Sequence, residues 1–169
     1  MVLRKTEKEP QDDLFDITLV VTTQAEENKE EKEILIAQFA RECLCSGVLD
    51  SACNANVCGQ KWMEHYTANL SEEQKNKVEE VETSNKNFVF GNMGILKTIG
   101  TYKIPAMLAG KKCNILINVV DSGIPLLLSR MSMSKVKMTI DYGTSKVEIA
   151  GRRVRAFETT TGHLCILLR

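Results

Sequence analysis

From residue 88 onward the chain is a succession of short, β-branched or apolar runs cut by glycine-containing turns, and this rhythm most narrows what it can fold into. Phe88-Val89-Phe90 and Ile95-Leu96 flank Gly91-Asn92-Met93-Gly94, a composition suited to a hairpin turn that needs positive φ. Residues 101–108 and 112–120 are β-rich and separated by Ala109-Gly110-Lys111. Further strands are expected over 137–142, 146–149, 154–159 and 164–168, punctuated by Gly143, Gly151 and Gly162. Many short strands with glycine turns predict a mainly β domain, a barrel or a sandwich, rather than a helical bundle or an alternating α/β sheet.

The first half is less regular. Residues 1–13 are charged, contain Pro10 and have no apolar periodicity, so they read as a flexible lead-in to a domain spanning 14–169. Residues 15–23 form a β-branched run and 34–39 a second apolar run. The polar, acidic stretch between them suits a long turn joining two strands. Between residues 60 and 82 the period changes. Trp62, Met63, Tyr66 and Leu70 recur at helical spacing, and Ser71-Glu72-Glu73-Gln74 has the form of a helix start with Ser71 as N-cap. Trp62 and Tyr66 are read as packing residues and His65 as facing solvent. A further short helix, capped by Ser129, is expected after Leu126-Leu127-Leu128.

Charge and cysteine content exclude several classes of function. Lys plus Arg equals Asp plus Glu, 22 against 22, so no overall basic field draws the domain to nucleic acid. No apolar run reaches the roughly 18 residues that a membrane span needs, and no signal-peptide core follows the charged opening. The chain therefore reads as cytoplasmic, and its 6 cysteines as reduced thiols. Cys43, Cys45, Cys53 and Cys58 are close in sequence, but their spacing is not the paired C-x2-C of zinc ribbons. Neither a metal nor a cofactor is expected.

The stretch with chemical content is Val48-Leu49-Asp50-Ser51-Ala52. An apolar strand delivers a carboxylate to a turn, followed by a hydroxyl residue and then a small one. Aspartic proteases require that order. Two such loops must approach until their carboxylates share one proton, so that one carboxyl holds it while the other activates water against a peptide carbonyl. A small third residue permits the approach.

The run from Gly47 through Asp50-Ser51-Ala52 to Val57 resembles the active-site segment of retropepsins, the proteases of retroviruses and of retrotransposon polyproteins. Later segments resemble that family in order: the glycine hairpin at 90–95 where a flap lies, then Asn118-Val119-Val120-Asp121-Ser122-Gly123-Ile124-Pro125-Leu126-Leu127-Leu128, a short helix, and Met138-Thr139-Ile140-Asp141-Tyr142. The resemblance implies a retropepsin-like acid-protease barrel, here with one or two short helices inserted between the active-site loop and the flap. It also implies a crossed, ψ-shaped core in which the apolar block lies beneath the catalytic loop. Ala52 and Ser129 stand where the family usually has glycine.

Asp121-Ser122-Gly123 is a second candidate triplet. The span between Asp50 and Asp121 is too short for a complete pepsin-like lobe, and Asp121 runs into the late apolar block, so Asp50 is the expected catalytic acid. One aspartate per chain implies a homodimer acting on a polypeptide, with Ser51 and Ala52 completing the loop and Gly91, Asn92, Met93 and Gly94 forming the flap tip. Residues 164–168 suit either a dimer strand or a core strand. The end of the chain directly after a strand is what a unit of a longer polyprotein would have. The resemblance implies an aspartic endopeptidase processing a retrotransposon polyprotein; the alternative is a catalytically inactive, domesticated dimerisation or peptide-binding module.

Overall fold

A computed structural model describes residues 38, 41–81, 86–89 and 94–169 of the protein. The described part is mainly β. Its larger sheet runs in the order β11-β12-β1-β7-β2-β6-β5-β3, with β4 paired to β5, and a smaller sheet runs β10-β9-β8. The strands are β1 (Ser46–Asp50), β2 (Val57–Gly59), β3 (Glu79–Val81), β4 (Asn87–Val89), β5 (Ile95–Leu108), β6 (Lys111–Val120), β7 (Leu126–Ser129), β8 (Met138–Asp141), β9 (Lys146–Ile149), β10 (Arg152–Val154), β11 (Ala156–Glu158) and β12 (Leu164–Leu167). The helices are α1 (Gln60–Ala68), α2 (Glu72–Lys75) and α3 (Arg130–Lys135).

The middle of the large sheet mixes directions in the way a crossed core requires. β1 pairs parallel with β7, from Gly47 opposite Leu126 to Asp50 opposite Ser129. β2 pairs parallel with β6, Val57 opposite Asn118 and Gly59 opposite Val120, and touches β7 in the antiparallel sense at Val57 and Leu127. The apolar block at 126–128 thus lies alongside the strand that delivers Asp50. Because neighbours cover both faces, β1, β2 and β7 read as continuous apolar runs without alternation. The long β5–β6 hairpin turns at Ala109 and Gly110, both with positive φ, as the sequence placed it. Backbone bonds from Met107 N to Leu168 O and from Leu168 N to Cys45 O join the end of β5 to the segment after β12, so the sheet rolls towards closure.

Both helices expected between residues 60 and 82 are present. α2 begins with the full capping box, Ser71 Oγ accepting from Gln74 N while Gln74 Oε1 accepts from Ser71 N. α1 buries Trp62, Met63 and Tyr66 against the sheet, the Trp62 and Tyr66 rings stacking at 4.8 Å between centroids and 12° between planes. Each aromatic also satisfies its polar end: Trp62 Nε1 donates to Cys43 O at 3.1 Å and Tyr66 Oη to Pro105 O at 2.9 Å. His65 is half-buried, within reach of Asn69 on the next turn, and so less exposed than the helical pattern predicts.

Some expectations need correction or fall outside the description, and one that the sequence left open is decided. The strand read over 154–159 is two strands: β10 ends at Val154 in the small sheet, and β11 starts at Ala156 in the large one. Both halves are β-formers, so propensity sees no break where the chain changes sheets at Arg155. Residues 164–168 supply an internal strand, β12, lying between β11 and β1, and Leu164, Cys165, Ile166 and Leu168 are buried. Of the two strands proposed before residue 40, the first lies outside the described residues. Of the second, Gln38 alone is described, and it is helical, as are Arg41 and Glu42 after it; the other residues of that run lie outside the described residues. No helix among the described residues is long and apolar enough to cross a membrane.

Gly59 ends β2 and caps α1 where the chain meets the 122–124 loop. Its N–H donates to Ile124 O at 2.9 Å, and a Cβ on it would stand 2.2 Å from Ser122 O. Gly59→Ala is expected to cost more than about 2 kcal/mol in chemical denaturation, because backbone must move to relieve the overlap; an unchanged midpoint would contradict the close approach. Burial pushes the Tyr66 phenol up to about 12, whereas an unfolded tyrosine ionises near 10. A folded-state pKa raised in this way adds stability that is complete below about pH 10 and declines as pH rises towards 12. Tyr66→Phe should lower stability at neutral pH by about 1–2 kcal/mol through the orphaned Pro105 carbonyl and flatten that alkaline decline; urea titrations at pH 7 and pH 11 measure both.

Candidate active site

β1 is buried from Ser46 to Leu49 and emerges at Asp50, which is half-buried. The chain turns at once. Cys53 N donates to Asp50 O at 3.3 Å, and Ala52 N donates to Asp50 Oδ1 at 2.9 Å, so the loop's own backbone orients the carboxylate. Ser51 and Ala52 are exposed at the tip. Ala52 is not among the residues with positive φ, so this position does not require glycine and alanine occupies it without backbone strain. Among the described residues, Asp50 belongs to none of the salt bridges.

Beneath the loop lies a buried amide network. Asn56 Oδ1 accepts from Ser129 N at 2.8 Å and Asn56 Nδ2 donates to Leu116 O at 2.8 Å, so one side chain joins β2 to both β7 and β6. Asn118 N and Nδ2 both donate to Asn56 O, at 3.0 and 2.9 Å, and Thr101 Oγ1 donates to Asn118 Oδ1 at 3.3 Å. The loop is also held from above, because Arg130 N at the start of α3 donates to Cys53 O at 3.1 Å. Ser129, set where the resembling family has glycine, is buried and caps α3 by accepting from Ser132 N. The hydroxyl therefore has a structural use at that position.

The β4–β5 hairpin stands beside this loop. Phe88 faces Leu96 in register, and both pack on the cluster of Val57, Val120 and Ile124, which also receives Cys53 and Leu127. Its outer residues Val89 and Ile95 are 73% and 65% exposed, the opposite of what a hairpin buried in a core shows. Gly94 has φ of +76°, as a tight turn requires, while Gly91, Asn92 and Met93 lie outside the described residues.

Asp121 is exposed and sits at the other end of β7 from Asp50. β6 leads into the 121–123 loop before β7 begins, whereas Asp50 is level with Ser129, where β7 ends. The length of β7, on the order of 10 Å, separates the two ends, so the two triplets do not form a pair within one chain. The four thiols that the sequence crowds together are dispersed: Cys58 is in the main core, Cys45 packs half-buried against it, Cys53 donates to Ala55 O, and Cys43 meets Cys165. Among the described residues, no three His, Cys, Asp or Glu side chains gather as metal ligands.

The chain matches no family model, and no curated protein sequence matches it significantly. Among solved structures it is similar to the crystal structure of the retroviral protease-like domain of Ddi1 from Leishmania major. That similarity is 13% sequence identity over 64% of this chain and 85% of that one, with a TM-score of 0.41.

The residues whose bracing role sequence reading passed over are Asn56, Asn118 and Thr101. The available signal was an amide inside or next to an apolar run, since Asn118 interrupts Ile115-Leu116-Ile117 and Val119-Val120 and Asn56 abuts Val57-Cys58. Asn56→Ala is expected to destabilise the fold by about 2–4 kcal/mol, because Ser129 N–H loses its buried acceptor and Leu116 O a donor. Equilibrium urea unfolding measures it, and a cost under about 0.5 kcal/mol would mean that the network is not holding the loop.

Proposed function

We propose that the chain is an aspartic endopeptidase in which Asp50 is one half of a catalytic pair completed by a second copy. The observation that carries this reading is the setting of Asp50: the end of a buried strand, parallel to an apolar partner strand, in a short loop whose backbone orients the carboxylate and whose tip is exposed. A single loop of this kind provides one acid, and the mechanism needs two.

In the dimer, the two Asp50 carboxylates face each other at the twofold axis and share a proton, since like charges at that distance do not both ionise. The ionised member takes a proton from a water molecule as that water attacks the peptide carbonyl, and the protonated member supplies a proton to the carbonyl oxygen. Ser51 and Ala52, exposed at the tip, are the surfaces that meet across the axis. The β4–β5 hairpin, rooted beside Cys53 and carrying exposed Val89 and Ile95, is the element that closes over the polypeptide and limits water. The enzyme's proposed setting is the processing of a polyprotein of retrotransposon origin.

The test is cleavage of a peptide library between about pH 4 and pH 7, where a proton-sharing pair of carboxylates acts. Wild-type dimer is expected to cleave, and Asp50→Asn to lose at least about a thousandfold in kcat/KM while keeping its dimer constant, as removal of a group essential to the chemistry does. Cleavage insensitive to Asp50→Asn would refute the role of Asp50. A verified dimer that binds peptides without cutting them would favour the inactive dimerisation or peptide-binding module instead.

A further inference from the structure

Outside the Asp50 loop, one pair of reactive side chains is left unused. Cys43, in the turn before β1, and Cys165, in β12, have their sulfurs 3.6 Å apart, although 122 residues separate them in sequence. Both are fully buried, in a small cluster with Val48 that Leu127 and Phe157 partly cover. We propose that Cys43 and Cys165 are a disulfide-forming pair, oxidised by hydrogen peroxide to a bond that staples the entry of β1 to β12.

The geometry favours this pair over any other. A disulfide needs its sulfurs about 2.05 Å apart, so they must close by about 1.5 Å, a shift that side-chain rotation supplies. The backbone on each side is already fixed. Cys43 O accepts from Ser46 N at 3.2 Å, Ser46 Oγ at 2.9 Å and Trp62 Nε1 at 3.1 Å. Cys165 lies opposite Val48 in the β1–β12 ladder and opposite Phe157 in the β11–β12 ladder. Neither residue drifts away while it waits for its partner. Access comes from the edge of the described sheet: Phe157 belongs to β11, a three-residue strand that among the described residues pairs with β12 alone, and local opening of such an edge is cheap.

The chemistry is balanced by the peroxide alone. The Cys43 sulfur, whose pKa is lowered by its contact with the Cys165 sulfur, is the better thiolate. It attacks one peroxide oxygen, the O–O bond breaks, and hydroxide leaves and is protonated to water, giving a sulfenic acid. The Cys165 sulfur then attacks the Cys43 sulfur, the S–O bond breaks, and a second water leaves. In sum, two thiols and one peroxide become one disulfide and two waters. The other cysteines lack this arrangement: Cys58 is deep in the main core, with burial holding its thiol protonated, and Cys53 is engaged with Ala55 O.

The experiment uses the full chain, treated with a small molar excess of hydrogen peroxide, alkylated and digested with trypsin without reduction. The expected map joins the peptide 42–61 to the peptide 156–169, with fragmentation placing the bond at Cys43 and not at Cys45. The oxidised protein is expected to melt higher by on the order of 10 °C, because the bond closes a long loop in the unfolded chain. Dithiothreitol should reverse the shift, and Cys165→Ala should abolish it. Full alkylation of all six cysteines, a bond from Cys165 to another cysteine or to a second chain, or a lower melting temperature after oxidation would overturn the proposal. The wild-type map requires no variant to fold, and none of these readouts depends on peptide cleavage.

Discussion

The fold depends on satisfying backbone polar groups where the chain crosses its own core. β1 and β7 run side by side, and β2 must leave the Asp50 loop, pass β7 and join β6. At that crossing, Ser129 N, Leu116 O and Asn56 O would be buried without complete sheet partners. The Asn56 and Asn118 side chains bond all three. No buried side-chain polar atom is left without a partner among the described residues, so the network is closed, and a closed network rigidifies where a partly satisfied one would destabilise.

The rigidity is inherited by the loop above. Asp50 is level with Ser129, and Ser129 is fixed at its N–H by Asn56 and at its Oγ by the α3 cap. Arg130 N then holds Cys53 O. The loop is short, tied at both ends and exposed at Ser51, Ala52 and Asn54, as suits the close approach of two such loops in the proposed dimer. The hairpin beside it is the contrasting element. Among its described residues, Phe88 and Leu96 pack on the core cluster, while Val89 and Ile95 present apolar side chains to solvent. A rigid acid and a loosely rooted cover fit the division of labour that the proposed protease needs.

Much of this was legible in the sequence. The β1 strand ending at Asp50, the two helices after it with Ser71 as N-cap, the turn at Ala109-Gly110, the apolar block before a Ser129-capped helix, and most of the short strands appear where pattern and turn chemistry put them. These are local features: the period of apolar residues, a capping hydroxyl, a residue able to take positive φ. The misread and undecided stretches are those where a local pattern has two tertiary outcomes. Residues 154–159 look like one strand because nothing local distinguishes continuing in a sheet from changing sheets. Residues 164–168 suit an interface or a core equally, and become an internal strand because β1 and β11 lie on either side.

The sequence by itself determined most of the element types and the candidate acid, because strand, helix and turn propensities and the Asp-Ser-Ala run are properties of neighbouring residues. Only the tertiary structure decided that Asp121 stands at the far end of β7 from Asp50, and that the Asn56 and Asn118 side chains brace the strand crossing. Only it brought Cys43 to Cys165 and left Cys45 out of that contact. The physical reason is common to all three. Long-range neighbours are fixed by the direction and register of strand pairing, and a given apolar run is compatible with many partners until the whole core is packed.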